Sequence, residues 1–255
     1  CWHRTKGQFG NAINNRYLVK FDENEPDFER HYTSECINTV MKTARDKGFF
    51  VTYNHPHWSL ERYPEYSKYT GMHAMEMFNG ECITNGYDDY NPRVYEDLLD
   101  LGNKIYCIGA DDNHNFADDD SVYCSSGAAF TMIKADSLDY RDVTKALENG
   151  NFYASTGPEI YELYYEDGYV HLKCSDAVKV ICNHQKRFVQ SIMNEDGSPV
   201  NEGKFFVKEN SVSKNDEKSN VNQFFHILNS VAMPRGCVQA AEGFEYTLYS
   251  SCCNA

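Results

Sequence analysis

No stretch of this 255-residue chain approaches the roughly 18 consecutive apolar residues that a bilayer-crossing helix needs, so no membrane partner is expected. The GxSxG nucleophile elbow, the phosphate-cradling GxxxxGK(S/T) loop and the HExxH helix are all missing, which removes the usual signatures of covalent serine catalysis, nucleotide-triphosphate hydrolysis and zincin-type proteolysis. Positive charge is scarce. Lys and Arg number 24 against 38 Asp and Glu, and a net charge of -14 repels nucleic-acid backbones and anionic membranes, so nucleic acid is an unlikely partner. A small phosphorylated substrate is still admissible if bound cations reverse the field locally.

The ten cysteines are scattered and form no CxxC pair. With several inside apolar runs, they read as buried thiols of a reducing compartment, which points to a cytoplasmic location. The opening residues are polar and carry no signal-peptide core. The length allows one full core, or one main domain with a small appendage; oligomeric state is not encoded in any feature.

Alternation of helix and strand signals organises the first part. Residues 33–48 read as a helix capped by Thr33 or Ser34, with Ile37, Val40, Met41 and Ala44 inward and Gly48 as the stop. A strand over 49–54 follows. Asn91 and Pro92 open a second helix with Val94, Leu98, Leu99 and Leu101 inward, and Gly102 closes it before a strand from Lys104. Residues 127–133 read as a strand, 138–149 as a helix capped by Asp136 or Ser137, and 151–155 as another strand. Such alternation implies α/β architecture with a largely parallel sheet or barrel over residues 1–158. After Gly157-Pro158 the pattern becomes that of a small antiparallel β module, 159–208, with a hairpin about Asp167-Gly168. Residues 209–255 are expected to be a polar linker and tail, containing one short amphipathic helix over 221–232 with Phe224, Phe225, Leu228 and Val231 on its apolar side.

Chemistry-bearing residues collect at strand ends. His55-Pro56 ends the first strand, Glu76 and Asn79 lie in the second, 73–79, and Asp111-Asp112-Asn113-His114 ends the third, 104–111. In α/β folds, function gathers at the carboxyl ends of parallel strands. Imidazoles and carboxylates delivered there are the donor types of a metal-dependent hydrolase. Glu76 in an apolar run demands compensation for its burial, and Asp112 and His114 leave one strand together. Asp111 reads as a ligand or as a group orienting an imidazole; His57, Trp58 and Asn79 are candidates to line a substrate pocket. The acidic run Asp118 to Asp120 lacks the spacing of a calcium loop and reads as solvated.

These segments resemble the PHP (polymerase and histidinol phosphatase) superfamily, in particular its CehA/McbA-like branch of predicted metal-dependent phosphoesterases. The matches are Tyr53-Asn54-His55-Pro56-His57-Trp58, Met75-Glu76-Met77-Phe78-Asn79-Gly80, Gly109-Ala110-Asp111-Asp112-Asn113-His114, and the later run from Ala146 to Pro158. The resemblance covers about residues 30–207. It implies a distorted (β/α)7, TIM-like barrel with two or three divalent metal ions, Zn, Mn or Fe. On that resemblance His55, Asp112 and His114 are metal ligands, with Glu76 a further ligand or a support. Catalysis would fall to metal-activated water at Asp112 and His114, with His57 and Asn79 near the substrate and Asp111 behind the ligands.

Family members also open with an HxH motif that is absent before His55, so the chain is expected to be the carboxyl-terminal part of such a barrel, and the loss of those ligands raises the expectation that it is inactive as truncated. The leading expectation is therefore a metal-dependent phosphate-ester hydrolase. Two alternatives stand beside it: a non-catalytic remnant or binding module, and a metal-dependent amidohydrolase, although the carboxylated lysine or extra strand-end histidine expected of the latter is not in evidence.

Overall fold

The computed structural model describes residues 31–114, 121, 123–184 and 188–206, together with the strands Arg4–Thr5, Ala12–Ile13, Asn222–Leu228, Gly236–Ala240 and Glu245–Ser250. The two-residue strands β1 (Arg4–Thr5) and β2 (Ala12–Ile13) pair antiparallel. The expected acidic run 118–120, the polar loop 209–220 and the ends of the expected helix at 221 and 229–232 lie outside the described residues.

Helix α1 (Ser34–Asp46) starts where Thr33 accepts a hydrogen bond from the Cys36 N–H, the interaction that makes threonine a good N-cap, and it buries Val40, Met41 and Ala44. Strand β3 is shorter than the apolar run promised and spans only Thr52–Tyr53. A short helix α2 (Tyr63–Tyr66) intervenes before β4 (Ala74–Asn79), which is buried along its whole length. Helix α3 (Gly80–Thr84) follows at once, and α4 (Pro92–Asp100) begins at the expected proline. Leu101 is the C-cap of α4 and 45% exposed, so it does not join Leu98 and Leu99 in the core. Strand β5 (Tyr106–Ala110) completes a three-stranded parallel sheet ordered β3-β4-β5. Continuous burial of β4 is what a central parallel strand covered on both faces requires. Met41, Tyr53, Met72, Met75, Met77, Tyr95, Leu98 and Ile105 share one apolar core.

Strands β6 (Phe130–Ile133) and β7 (Phe152–Ser155) flank helix α5 (Tyr140–Glu148). They pair antiparallel, against the parallel relationship expected. Strand β6 lies beside β5, where the Thr131 hydroxyl bonds both the N–H and the carbonyl of Gly109. The N-cap of α5 is Asp139, not Asp136 or Ser137, because its carboxylate takes the Arg141 N–H at 2.9 Å while Ser137 is occupied with the Asp139 N–H and the Asp142 carboxylate.

The β module contains β8 (Ile160–Glu166), β9 (Tyr169–Ala177), β10 (Lys179–His184), β11 (Phe188–Ile192) and β12 (Val200–Phe206). Asp167 and Gly168 both take positive φ, 50° and 81°, at the β8–β9 turn, the geometry that makes Asp-Gly a hairpin signal. Val170, Leu172, Cys174, Val180, Cys182 and Phe205 form a second apolar cluster.

The expected helix over 221–232 is overturned at Asn222–Leu228, which is strand β13. It is held on both sides, antiparallel to β10 and parallel to β15 (Glu245–Ser250), and β14 (Gly236–Ala240) closes the sheet in the order β11-β10-β13-β15-β14. Two ladders of backbone hydrogen bonds outweigh the helical spacing of its phenylalanines, which is equally consistent with a buried strand.

Candidate functional site

Two non-glycine residues at the ends of the two outer strands of the parallel sheet adopt left-handed backbone conformations. His55, just after β3, has φ 35°, and Asp112, just after β5, has φ 50°. Such geometry costs on the order of 1–3 kcal/mol and persists only where surrounding contacts over-determine it. Here the contacts converge on Glu76, in the middle of β4 and 1% exposed.

One Glu76 oxygen, Oε2, accepts the His55 N–H at 2.8 Å and the Asn79 side-chain amide at 3.0 Å; Oε1 accepts from Asn54 Nδ2 at 3.3 Å. Asn54 is oriented in turn by the Thr52 hydroxyl, 2.6 Å from its Oδ1. Burial pushes the Glu76 carboxyl up to about 7, reinforced by the nearby Asp112 charge and opposed by the Asn79 and His55 donors. The same Asn79 amide donates to Asp112 Oδ2 at 3.0 Å, and its Oδ1 takes the Cys82 N–H, capping α3. His55 is buried beneath the Trp58 ring, whose centroid is 5.0 Å away, and its Nδ1 lies 3.0 Å from the Ser59 hydroxyl. Burial lowers the imidazole's pKa, against the opposite pull of Asp112 and Asp89.

His55, Glu76, Asn79 and Asp112 are thus brought together, but other expected site residues are not. Asp111 turns to the Gly127 N–H at 3.0 Å, and its carbonyl takes the Glu81 N–H. His57 and His114 are exposed. Asn79 is fully buried and joins two carboxylates, a place from which it cannot line an open substrate pocket.

Two carboxylates went unnoticed in the sequence. Asp89, fully buried, accepts from the Trp58 N–H and from Asn91 Nδ2, and so anchors the segment that covers His55. Glu81 accepts from the Ser125 hydroxyl and from Asn85. Asp89 sits in a run that reads as a polar loop, and Glu81 falls within one helical turn; neither has a spacing that singles it out.

Comparison with known proteins directs attention elsewhere in the chain. Residues 202–255 match the family model of linear amide C–N hydrolases, the choloylglycine hydrolase family. Over 50 residues the chain is 50% identical to the bile salt hydrolase/transferase of Lactiplantibacillus plantarum, a match covering 19% of this chain and 15% of that protein. Among solved structures, similarity is found to a two-domain protein from Bacteroides vulgatus that contains a predicted PHP-like metal-dependent phosphoesterase. That likeness covers 82% of this chain and 64% of the other at 13% identity, with a TM-score of 0.29, too low to establish a common fold.

The matched family overturns the expected Zn, Mn or Fe ions, since its hydrolases need no metal cofactor. Glu76 Oε2 accepts two N–H donors, and Glu76 Oε1 and Asp112 Oδ2 accept one each. Among the described residues, no group of three or more His, Cys, Asp or Glu side chains is placed to hold a metal ion. No described helix is long and apolar enough to cross a membrane.

Proposed function

We propose that this chain is a hydrolase acting on linear amide C–N bonds. The observation that carries the reading is the 50% identity over 50 residues with a bile salt hydrolase/transferase, supported by the family match over residues 202–255. Amide cleavage needs a base to activate the attacking nucleophile and an acid to protonate the departing amine. Among the described residues, Glu76 is raised by burial to about 7, within the range in which a carboxyl can both take and give a proton, and the backbone N–H of His55 is bonded to it. Asp112 adds a fixed negative charge through the Asn79 bridge. His57 and His114, both exposed, are the nearby side chains we assign to substrate contact.

A phosphate ester is the second reading, favoured by the delivery of His55, Asn79 and Asp112 to the carboxyl ends of three parallel strands. We include in it the proposal that β3, β4 and β5 are the described portion of a (β/α)7-type barrel.

One panel separates the two. The purified chain is incubated with N-acyl amino acids, a conjugated bile salt among them, and with p-nitrophenyl phosphate and bis(p-nitrophenyl) phosphate. Amine release that Glu76→Gln abolishes is the expected result. Turnover of the phosphates alone would favour the second reading, and a folded chain inert toward every substrate would overturn both.

A further inference from the structure

Ser59, whose hydroxyl meets His55, also lines a solvent-open groove of about 400 Å³ between the start of α1 and residues 59–69. One wall carries Glu61, held in an unusual way. Its Oε2 accepts the Tyr53 hydroxyl at 2.5 Å and its Oε1 the Tyr69 hydroxyl at 2.8 Å. Both tyrosines are buried, 6% and 2% exposed, so two rigid core side chains fix the plane of one groove-lining carboxylate. Burial first, and then Glu61 through its charge and its hydrogen bonds, push both phenols above their ordinary range, which keeps them protonated as donors. Tyr32 and Leu60 contribute exposed apolar surface to the same groove, at 84% and 78% exposure. Of the charged residues lining it, Glu35, Glu61 and Glu65 outnumber the single cation, Lys68.

We propose that this groove binds a small molecule carrying a primary ammonium group on an apolar body, with the ammonium on Glu61 and the body against Tyr32 and Leu60. A carboxylate already oriented by two donors loses no rotamer freedom on binding. Each of its oxygens still has a lone pair to offer. Because each also carries a phenolic hydrogen, the parallel two-point approach of a guanidinium is obstructed, whereas a compact ammonium needs only one direction. The excess of carboxylates repels an anionic ligand of the same shape. The site is independent of the amide-hydrolase reading.

Isothermal titration of the full chain with phenethylamine, 2-phenylethanol and 3-phenylpropionate tests the assignment. Phenethylamine should bind, the alcohol about tenfold more weakly, and the acid more weakly still. Glu61→Gln should weaken the amine about tenfold and leave the alcohol unchanged. Since that substitution could loosen Tyr53 and Tyr69, the exposed rim variant Glu35→Gln supplies a second reading: a two- to threefold loss, roughly, that added salt erases. The proposal is overturned if the amine does not bind or binds no better than the alcohol. It is also overturned if a Glu61→Gln chain with an unaltered unfolding curve binds the amine as the parent does. Should Glu61→Gln fail to fold, the ligand comparison and Glu35→Gln decide.

Discussion

Glu76 and Asp112 share one amide group: the Asn79 nitrogen lies 3.0 Å from Glu76 Oε2 and 3.0 Å from Asp112 Oδ2. Two carboxylates on neighbouring segments of a parallel sheet are thereby separated by a neutral donor. The oxygen of the same side chain caps the helix that follows.

Replacing Asn79 with Ala removes both donors and the cap together. Leaving buried acceptors unsatisfied costs about 1–3 kcal/mol, and loss of a cap about 1 kcal/mol. Urea titration should therefore show a loss of roughly 2–4 kcal/mol, greater at pH 8 than at pH 5 because ionised Glu76 and Asp112 then face each other without a donor. An unchanged midpoint at both pH values would contradict the bridging role.

Glu76 sets a pH dependence of definite sign. Its carboxyl titrates near 7 in the folded chain, above the ordinary value of 4.5, so the folded state retains a proton that the unfolded state has released. Stability consequently falls as pH rises between those limits. The gap corresponds to about 3 kcal/mol as an order of magnitude. Glu76→Gln should flatten this part of the profile and unfold later than the parent at pH 8. Equal slopes for parent and variant between pH 5 and 8 would place the titration elsewhere.

Local structure was the most legible part of the sequence. Thr33, the Asn91-Pro92 pair and Asp167-Gly168 each impose a backbone geometry on their immediate neighbours, and each marks the cap, helix start or turn expected of it. Pairing between distant segments was not so accessible. Nothing near Phe130 or Phe152 specifies that their strands run antiparallel, and Phe224, Phe225 and Leu228 fit a helical face as well as a strand. The site divides along the same line. His55 and Asp112 stood out by their strand-end positions and Glu76 as a carboxylate inside an apolar run, although the metal ions they were expected to hold are overturned. Asn79's two bonds and the anchoring by Asp89 depend on contacts made only once the sheet assembles.

Gly80 is needed for close approach where β4 passes into α3. A Cβ there would stand 2.7 Å from the Ala128 Cβ and 3.1 Å from the Asp111 Cα. Gly80→Ala should destabilise the chain by about 1–3 kcal/mol through overpacking. Adding Ala128→Gly should restore part of that loss, and a double variant no better than Gly80→Ala would show that the backbone of Asp111, not the Ala128 methyl, is the obstacle.

Strand β13 joins the segment matched by the amide-hydrolase family to the β module, and its register pairs Phe225 with Cys182 on one side and Leu248 on the other. A proline at 225 has no N–H to give to either neighbour, and in a strand paired on both edges it costs about 3 kcal/mol or more. Hydrogen exchange followed by mass spectrometry on Phe225→Pro should show protection reduced over 179–184 and 245–250 together, because both strands pair with β13. Protection over 106–110 should be kept, since β5 pairs with β4 in a different sheet. If exchange at 179–184 were unaltered while 245–250 opened, pairing with β11 alone would suffice to protect β10, and β13 would not be what holds it.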